Sequence, residues 1–166
     1  MKPKIIRVPW EVIEDCCKII AENIKGQDRN TLILGIKNGG VIPAMIVHKL
    51  LGTPYTFDII EGYPRNAEYV YAKMNGYKNV LFIDDINDSG DTINNFGKLI
   101  KKACEMHPSF DPNFAFFTLF ARKSSNAVSN SALVVDHENW FRFAWELQEQ
   151  PKRNRDLLQC KFPRLG

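Results

Sequence analysis

The sequence predicts an α/β fold: a central, mostly parallel sheet flanked by helices on both faces. Two observations carry this. Short apolar runs of strand length, TLILGI at 31–36 and NVLFI at 79–83, alternate with segments of helical length and amphipathic spacing. Each of these runs ends in a loop of unusual composition, Lys37-Asn38-Gly39-Gly40 after the first and Asp84 to Thr92 after the second. In open parallel sheets, ligands bind where strands end. At 166 residues, 45% of them hydrophobic, the chain is long enough to bury one sizeable core, so a single domain over 1–166 is expected.

The elements follow in order. Over 9–25, Trp10, Ile13, Cys17, Ile20 and Ile24 recur at helical spacing, with Pro9 near the first turn and Gly26 at the stop. TLILGI reads as a strand and VIPAMIVHKLLG as a helix closed by Gly52. TPYTFDII (53–60) reads as a second strand. The segment 61–78 is polar and aromatic, punctuated by Gly, Pro and Asn, and reads as a long mobile excursion with hairpin character, a candidate lid. NVLFI is a buried strand, and TINNFGKLIKKACEMH is an amphipathic helix with cations late in its length, where they suit the helix dipole. FAFFTLFA (114–121) and SALVVD (131–136) supply two more strands. The core is thus expected over about 31–136, with a small C-terminal segment at 137–150 and a basic tail at 151–166.

Composition excludes several classes. No apolar stretch is long enough to span a membrane, no heptad or other repeat recurs, and the N-terminus does not resemble a secretory signal. Cys16, Cys17, Cys104 and Cys160 match neither a redox CxxC pair nor a zinc set and read as reduced thiols of a cytoplasmic protein. The formal net charge is +3, but the tail holds Lys152, Arg153, Arg155, Lys161 and Arg164 against Asp156, so the basicity is confined to it. With few aromatics interleaved, that tail is not expected to bind nucleic acid.

The chemistry lies in the second loop. Asp84, Asp85 and Asp88 follow a buried strand, and Ser89-Gly90-Asp91-Thr92 opens a helix. Small hydroxyl residues and glycine at a helix N-terminus offer amide and hydroxyl donors to a phosphate. The carboxylates can accept hydrogen bonds from sugar hydroxyls or face a hard cation. A calcium loop starting at Asp85 would need Glu at its twelfth position, which is Phe96, and a helix before it. An Asp-x-Asp phosphatase motif fails because Ile86 and Asn87 stand where the partner acid is needed. Solvated acids capping a helix remain the plain alternative.

VLFIDDINDSGDTI resembles the phosphoribosyl-pyrophosphate (PRPP) signature of type I phosphoribosyltransferases, and LGIKNGGVIPAMIVHKLLG resembles their upstream pyrophosphate loop in the right order. The resemblance spans most of residues 31–146 and implies the type I phosphoribosyltransferase fold, purine branch. It implies transfer of 5-phosphoribosyl from PRPP to a 6-oxopurine (hypoxanthine, guanine or xanthine), with Mg²⁺ as cofactor and a homodimer or homotetramer as the assembly. Asp84 and Asp85 would meet the ribose hydroxyls and, through these or through water, the metal. Ser89, Gly90, Asp91 and Thr92 would wrap the 5′-phosphate, and Asp88 would exchange a proton near N7 of the base. Lys37, Asn38, Gly39 and Gly40 would hold the pyrophosphate, with a non-proline cis peptide at Lys37-Asn38. Asn38 departs from the Arg or Lys common in purine enzymes.

LVVDHENWFRFAWE resembles the base segment of bacterial xanthine-guanine phosphoribosyltransferases. By that resemblance Trp140 stacks on the purine, and the Phe141 main chain and Glu146 face its 2-substituent. Arg122 or Lys123 stands where the family keeps a lysine for the 6-oxo group, which disfavours adenine. Ala144 replaces the family's Pro, and Glu146 its Asp. Trp140, Phe143 and Trp145 as plain core is the competing reading, and His137 is a lesser candidate beside them. A PRPP-binding regulatory protein without catalysis, or a transferase for a non-purine base, remains the alternative function.

Overall fold

The computed structural model describes residues 4–27, 30–52, 54–136 and 139–146. His137, Cys160, the end of the 137–150 segment and the basic tail at 151–166 lie outside them. The elements are β1 (Ile5–Arg7), α1 (Trp10–Ile24), β2 (Thr31–Ile36), α2 (Val41–Leu51), β3 (Thr56–Ile60), α3 (Ala67–Met74), β4 (Asn79–Asn87), α4 (Asp91–Met106), β5 (Asn113–Arg122), β6 (Asn130–Val135) and β7 (Trp140–Arg142).

Five strands form one sheet in the order β3-β2-β4-β5-β6, and every neighbouring pair is parallel. Successive side chains of a strand face opposite sides. Ile33, Leu81, Ile83, Phe117 and Leu119 therefore join the core under α1 and α2, whereas Leu32, Leu34, Ile36, Val80, Phe82 and Phe116 join the one under α3 and α4. Burial on both faces is why these strands read as continuous apolar runs rather than as alternating ones. The second core is aromatic: the Phe82 ring lies 4.8 Å from that of Phe116 and 5.0 Å from that of Phe96.

From β2 the chain steps to β3 at one edge and then crosses back to β4 on the other side of β2. The strand order therefore reverses between β2 and β4, and ligand crevices of open α/β sheets form outside the carboxyl ends of strands at such a switch. Both unusual loops leave from there.

Two expectations need correction, and one feature is new. Residues 61–78 are not a hairpin-like excursion, because 67–74 form α3. Its N-cap Asn66 accepts a hydrogen bond from the Tyr69 amide at 2.9 Å, and Ala67, Val70 and Met74 are buried. Burial of that stripe outweighs the turn residues, leaving only 61–66 as an irregular connection. β4 runs on to Asn87, so Asp84 lies in the sheet, in register with Thr118. A further two-stranded parallel sheet, β1 with β7, ties the N-terminus to the C-terminal segment and was not legible in the sequence. Among the described residues no helix is long and apolar enough to cross a membrane, and Cys16, Cys17 and Cys104 are free thiols.

Candidate active site

Gly39 and Gly40 bring the end of β2 against the end of β4. A Cβ on Gly40 would strike the Ile83 carbonyl oxygen and stand 2.7 Å from Asp84 Cα, and one on Gly39 would strike the Asp85 carboxylate. Only glycine permits this approach, so the loop's backbone runs directly over the two acids. The Lys37-Asn38 peptide is cis. Lys37 Nζ points away from the acids to Glu61, at 2.7 Å, and both side chains are about half exposed.

The acids are held by the amides that follow them. The Asp85 N–H donates to Asp84 Oδ1 at 2.9 Å, and the Ile86 N–H donates to Asp85 Oδ1 at 2.7 Å. Burial first, then the neighbouring charge of Asp85, raises the Asp84 carboxyl well above the usual carboxylate range. Burial, reinforced by the charge of Glu146 and opposed by the Ile86 amide, pushes Asp85 up to about 6. The pair is therefore strained electrostatically in the free protein, and hydroxyl donors or a cation would relieve it.

Beyond the acids, a cavity of about 230 Å³ is lined by Asp84, Asp88, Ser89, Gly90, Asp91 and Thr92, and by Tyr63 from the 61–66 connection. Gly90, the N-cap of α4, takes φ +94 and carries no side chain to cap the helix. Ser89 Oγ accepts from the Asp91 amide at 3.3 Å. The opening turn of a 16-residue helix, lining a cavity, suits an anion.

The other predicted residues divide. Arg122 Nε donates to Asp88 Oδ1, its Nη2 donates to the Asn139 carbonyl at 2.9 Å, and its guanidinium lies 5.8 Å over the Phe141 ring. Lys123 pairs instead with Asp136 at 3.0 Å, where both side chains are well exposed. Trp140 is 56% exposed, whereas Phe141 and Phe143 are buried against Phe120. Trp145 stacks on Phe143 with ring centroids 5.0 Å apart, so these two belong to the core. Glu146 Oε1 accepts from the Phe143 amide at 3.3 Å, and its charge reaches Asp85. Tyr63, which the sequence offers as a candidate substrate contact without a role, lines the cavity, and sequence reasoning missed Asn87, a carboxamide buried at the end of β4.

A family model described as "Phosphoribosyl transferase domain" matches residues 9–152. The xanthine-guanine phosphoribosyltransferase of Cereibacter sphaeroides is 26% identical over 170 residues, covering 92% of this chain and 95% of that protein. The enzyme of the same name from Vibrio parahaemolyticus is 24% identical over 156 residues, covering 90% and 94%. Among solved structures, a purine phosphoribosyltransferase from Pyrococcus horikoshii superposes with a TM-score of 0.64 at 18% identity, covering 87% of this chain and 95% of that one. A Helicobacter pylori xanthine-guanine-hypoxanthine phosphoribosyltransferase gives 0.60 at 18% identity, covering 86% and 94%.

Proposed function

The chain belongs to the phosphoribosyl transferase domain family, and on that premise we propose that it transfers the 5-phosphoribosyl group of PRPP to a 6-oxopurine, releasing pyrophosphate. The observation that carries this is the meeting, at one switch point, of a glycine loop laid over Asp84 and Asp85 with a cavity at the start of α4 that has room for a phosphate. The names of the relatives, xanthine-guanine phosphoribosyltransferases, support the purine assignment.

In this reading Asp84 and Asp85 accept the two ribose hydroxyls of PRPP, whose donors offset the cost of ionising a buried pair. Ser89, Gly90, Asp91 and Thr92 receive the 5′-phosphate through amides and hydroxyls. The backbone of Lys37 to Gly40 holds the pyrophosphate. Tyr63 and the 61–66 connection cover the cavity and exclude water from the reacting sugar.

Two paired carboxylates are hard oxygen donors, and among the described residues no group of three or more His, Cys, Asp or Glu could hold a metal ion. Such a donor set fits Mg²⁺, which Asp84 and Asp85 would hold through the PRPP hydroxyls or through water rather than in a closed protein cage. The ion would supply charge neutralisation on the pyrophosphate.

Transfer breaks the bond between C1 of the ribose and the pyrophosphate oxygen and forms one from C1 to the purine nitrogen. The proton displaced from the ring passes to the Asp88 carboxylate. In the free protein Asp88 Oδ1 accepts from Arg122 Nε. A 6-oxo oxygen offered to Arg122 draws the guanidinium away and frees Asp88 where the proton is released. Trp140 is the exposed face on which the purine stacks, and Phe141 and Glu146 border its 2-substituent. Lys123, turned toward Asp136, has no role in this reading.

The binding half of the reading is tested by calorimetric titration of PRPP with Mg²⁺. The wild type binds, and Asp84→Asn with Asp85→Asn weakens binding at least about tenfold. Equal affinity in the double variant removes the acids from the ribose site.

A further inference from the structure

Asn87 ends β4 with 4% of its surface exposed, directly before Asp88. A buried carboxamide is costly unless its polar atoms are paired. Here Nδ2 donates to the Ala127 carbonyl at 2.9 Å and to Ser129 Oγ at 3.0 Å, and Oδ1 accepts from the Ser125 hydroxyl at 2.7 Å. All three partners lie in the connection between β5 and β6. Ser129 is itself held by the hydroxyls of Thr118 and Ser131, at 3.2 and 2.9 Å.

The same connection grips the phosphate loop at further points. The Asn126 amide donates to the Ser89 carbonyl at 3.1 Å, and Asn94 Nδ2 donates to Asn126 Oδ1 at 2.8 Å. Gly90 completes the fit, because a Cβ there would strike the Asn126 side chain and stand 2.8 Å from Ala127. Besides the local bond from the Asp91 amide to Ser89 Oγ, the conformation of 88–92 is therefore held from the 125–129 connection. The clamp starts at the base side: the Ser125 amide donates to the Arg122 carbonyl at 3.0 Å.

We propose that Asn87 is a positioning residue which, through Ser125 and the 125–129 connection, fixes the phosphate loop relative to Arg122 at the end of β5. The inference rests on the proposal that 88–92 receives the 5′-phosphate of PRPP. Asn87 touches no reacting atom. It sets how far the phosphate seat stands from the base seat, a distance to which a transfer between two bound groups is sensitive.

The test compares wild type with Asn87→Leu, Ser125→Ala, Ser125→Thr and the Asn87→Leu/Ser125→Ala double variant, in steady-state kinetics and in titration with PRPP and Mg²⁺. Asn87→Leu and Ser125→Ala each raise KM and Kd for PRPP about tenfold, with base KM within about twofold. Ser125→Thr, which keeps the hydroxyl, stays near wild type. The double variant is no worse than the more impaired single variant, as for two members of one contact. Ser125 lies at a loop surface, so Ser125→Ala keeps the test open if Asn87→Leu does not fold. Wild-type turnover with unchanged PRPP KM in Ser125→Ala overturns the positioning role. No PRPP binding by wild type instead overturns the reading beneath it.

Discussion

Arg122 Nε donates to Asp88 Oδ1, joining the last residue of β5 to the loop after β4. The arginine side chain is 13% exposed and also holds the Asn139 carbonyl, whereas the Asp88 side chain it meets is about half exposed at the mouth of the site. The contact sets the Asp88 carboxylate beside the arginine proposed to meet the 6-oxo oxygen, where it can take the proton that the base releases.

Asp88→Asn is therefore expected to lower kcat about 100-fold while PRPP affinity stays within about threefold. Arg122→Ala is expected to raise the KM of a 6-oxopurine about tenfold with PRPP affinity likewise held. Steady-state kinetics with calorimetric titration measures both. Normal turnover in Asp88→Asn rejects the proton-accepting role.

The Asp84–Asp85 pair makes stability depend on pH. Both carboxyls are raised on folding, Asp85 to about 6 and Asp84 well above the ordinary value, so the folded state keeps protons that the unfolded chain releases above about pH 4. Their stabilising protonation is complete below that point; the Asp85 part is lost as pH rises through about 6, and the Asp84 part as pH rises through its own raised value. The ligand-free protein is expected to melt about 3 °C higher at pH 5.5 than at pH 7.5, after allowance for partial exposure. Asp85→Asn is expected to shrink that difference and to weaken PRPP. Thermal melts at the two pH values decide it, and an undiminished difference in Asp85→Asn assigns the dependence to other groups.

Gly39 and Gly40 separate stability from binding. Gly40→Ala pushes against β4 backbone that cannot yield and is expected to cost about 3 kcal/mol in urea unfolding. Gly39→Ala meets the Asp85 carboxylate first, the far end of a side chain rather than backbone, and is expected to cost under about 1 kcal/mol but to weaken PRPP about tenfold. Equal stability loss in both would show that Asp85 cannot move.

The sheet, α1, α2 and α4 were legible because their signals are local: two-sided burial makes β2 and the start of β4 continuous apolar runs, and glycines mark α1 and α2 ends. Residues 84–92 and 37–40 were legible for the same reason, each being one short stretch of chain. What the sequence hid was pairing at a distance. Ile5 and Trp140 meet across 135 positions in strands of three residues. Whether Arg122 or Lys123 turns inward depends on Asp88 and Asp136, which no spacing relates. In α3 the Asn66 cap and the Ala67, Val70, Met74 stripe were present but masked by Gly62 and Pro64 just before them. Asn87 looked like an interruption of a motif because its three partners lie about forty residues away.

Trp140 and Trp145 are expected to behave oppositely. Trp140→Ala, at a site 56% exposed, should change stability by under about 0.5 kcal/mol and raise base KM about tenfold. Trp145→Ala removes a ring stacked on Phe143 and should cost about 2 kcal/mol with base KM little changed. Urea unfolding and base titration separate the two, and a reversed pattern moves the base platform away from Trp140.

The most direct measurement is pyrophosphate release from PRPP and Mg²⁺ with hypoxanthine, guanine, xanthine, adenine, uracil and orotate offered one at a time. The account predicts release with at least one 6-oxopurine, little with adenine and none with the pyrimidines. Release with uracil or orotate alone, or with no base despite PRPP binding, would contradict it.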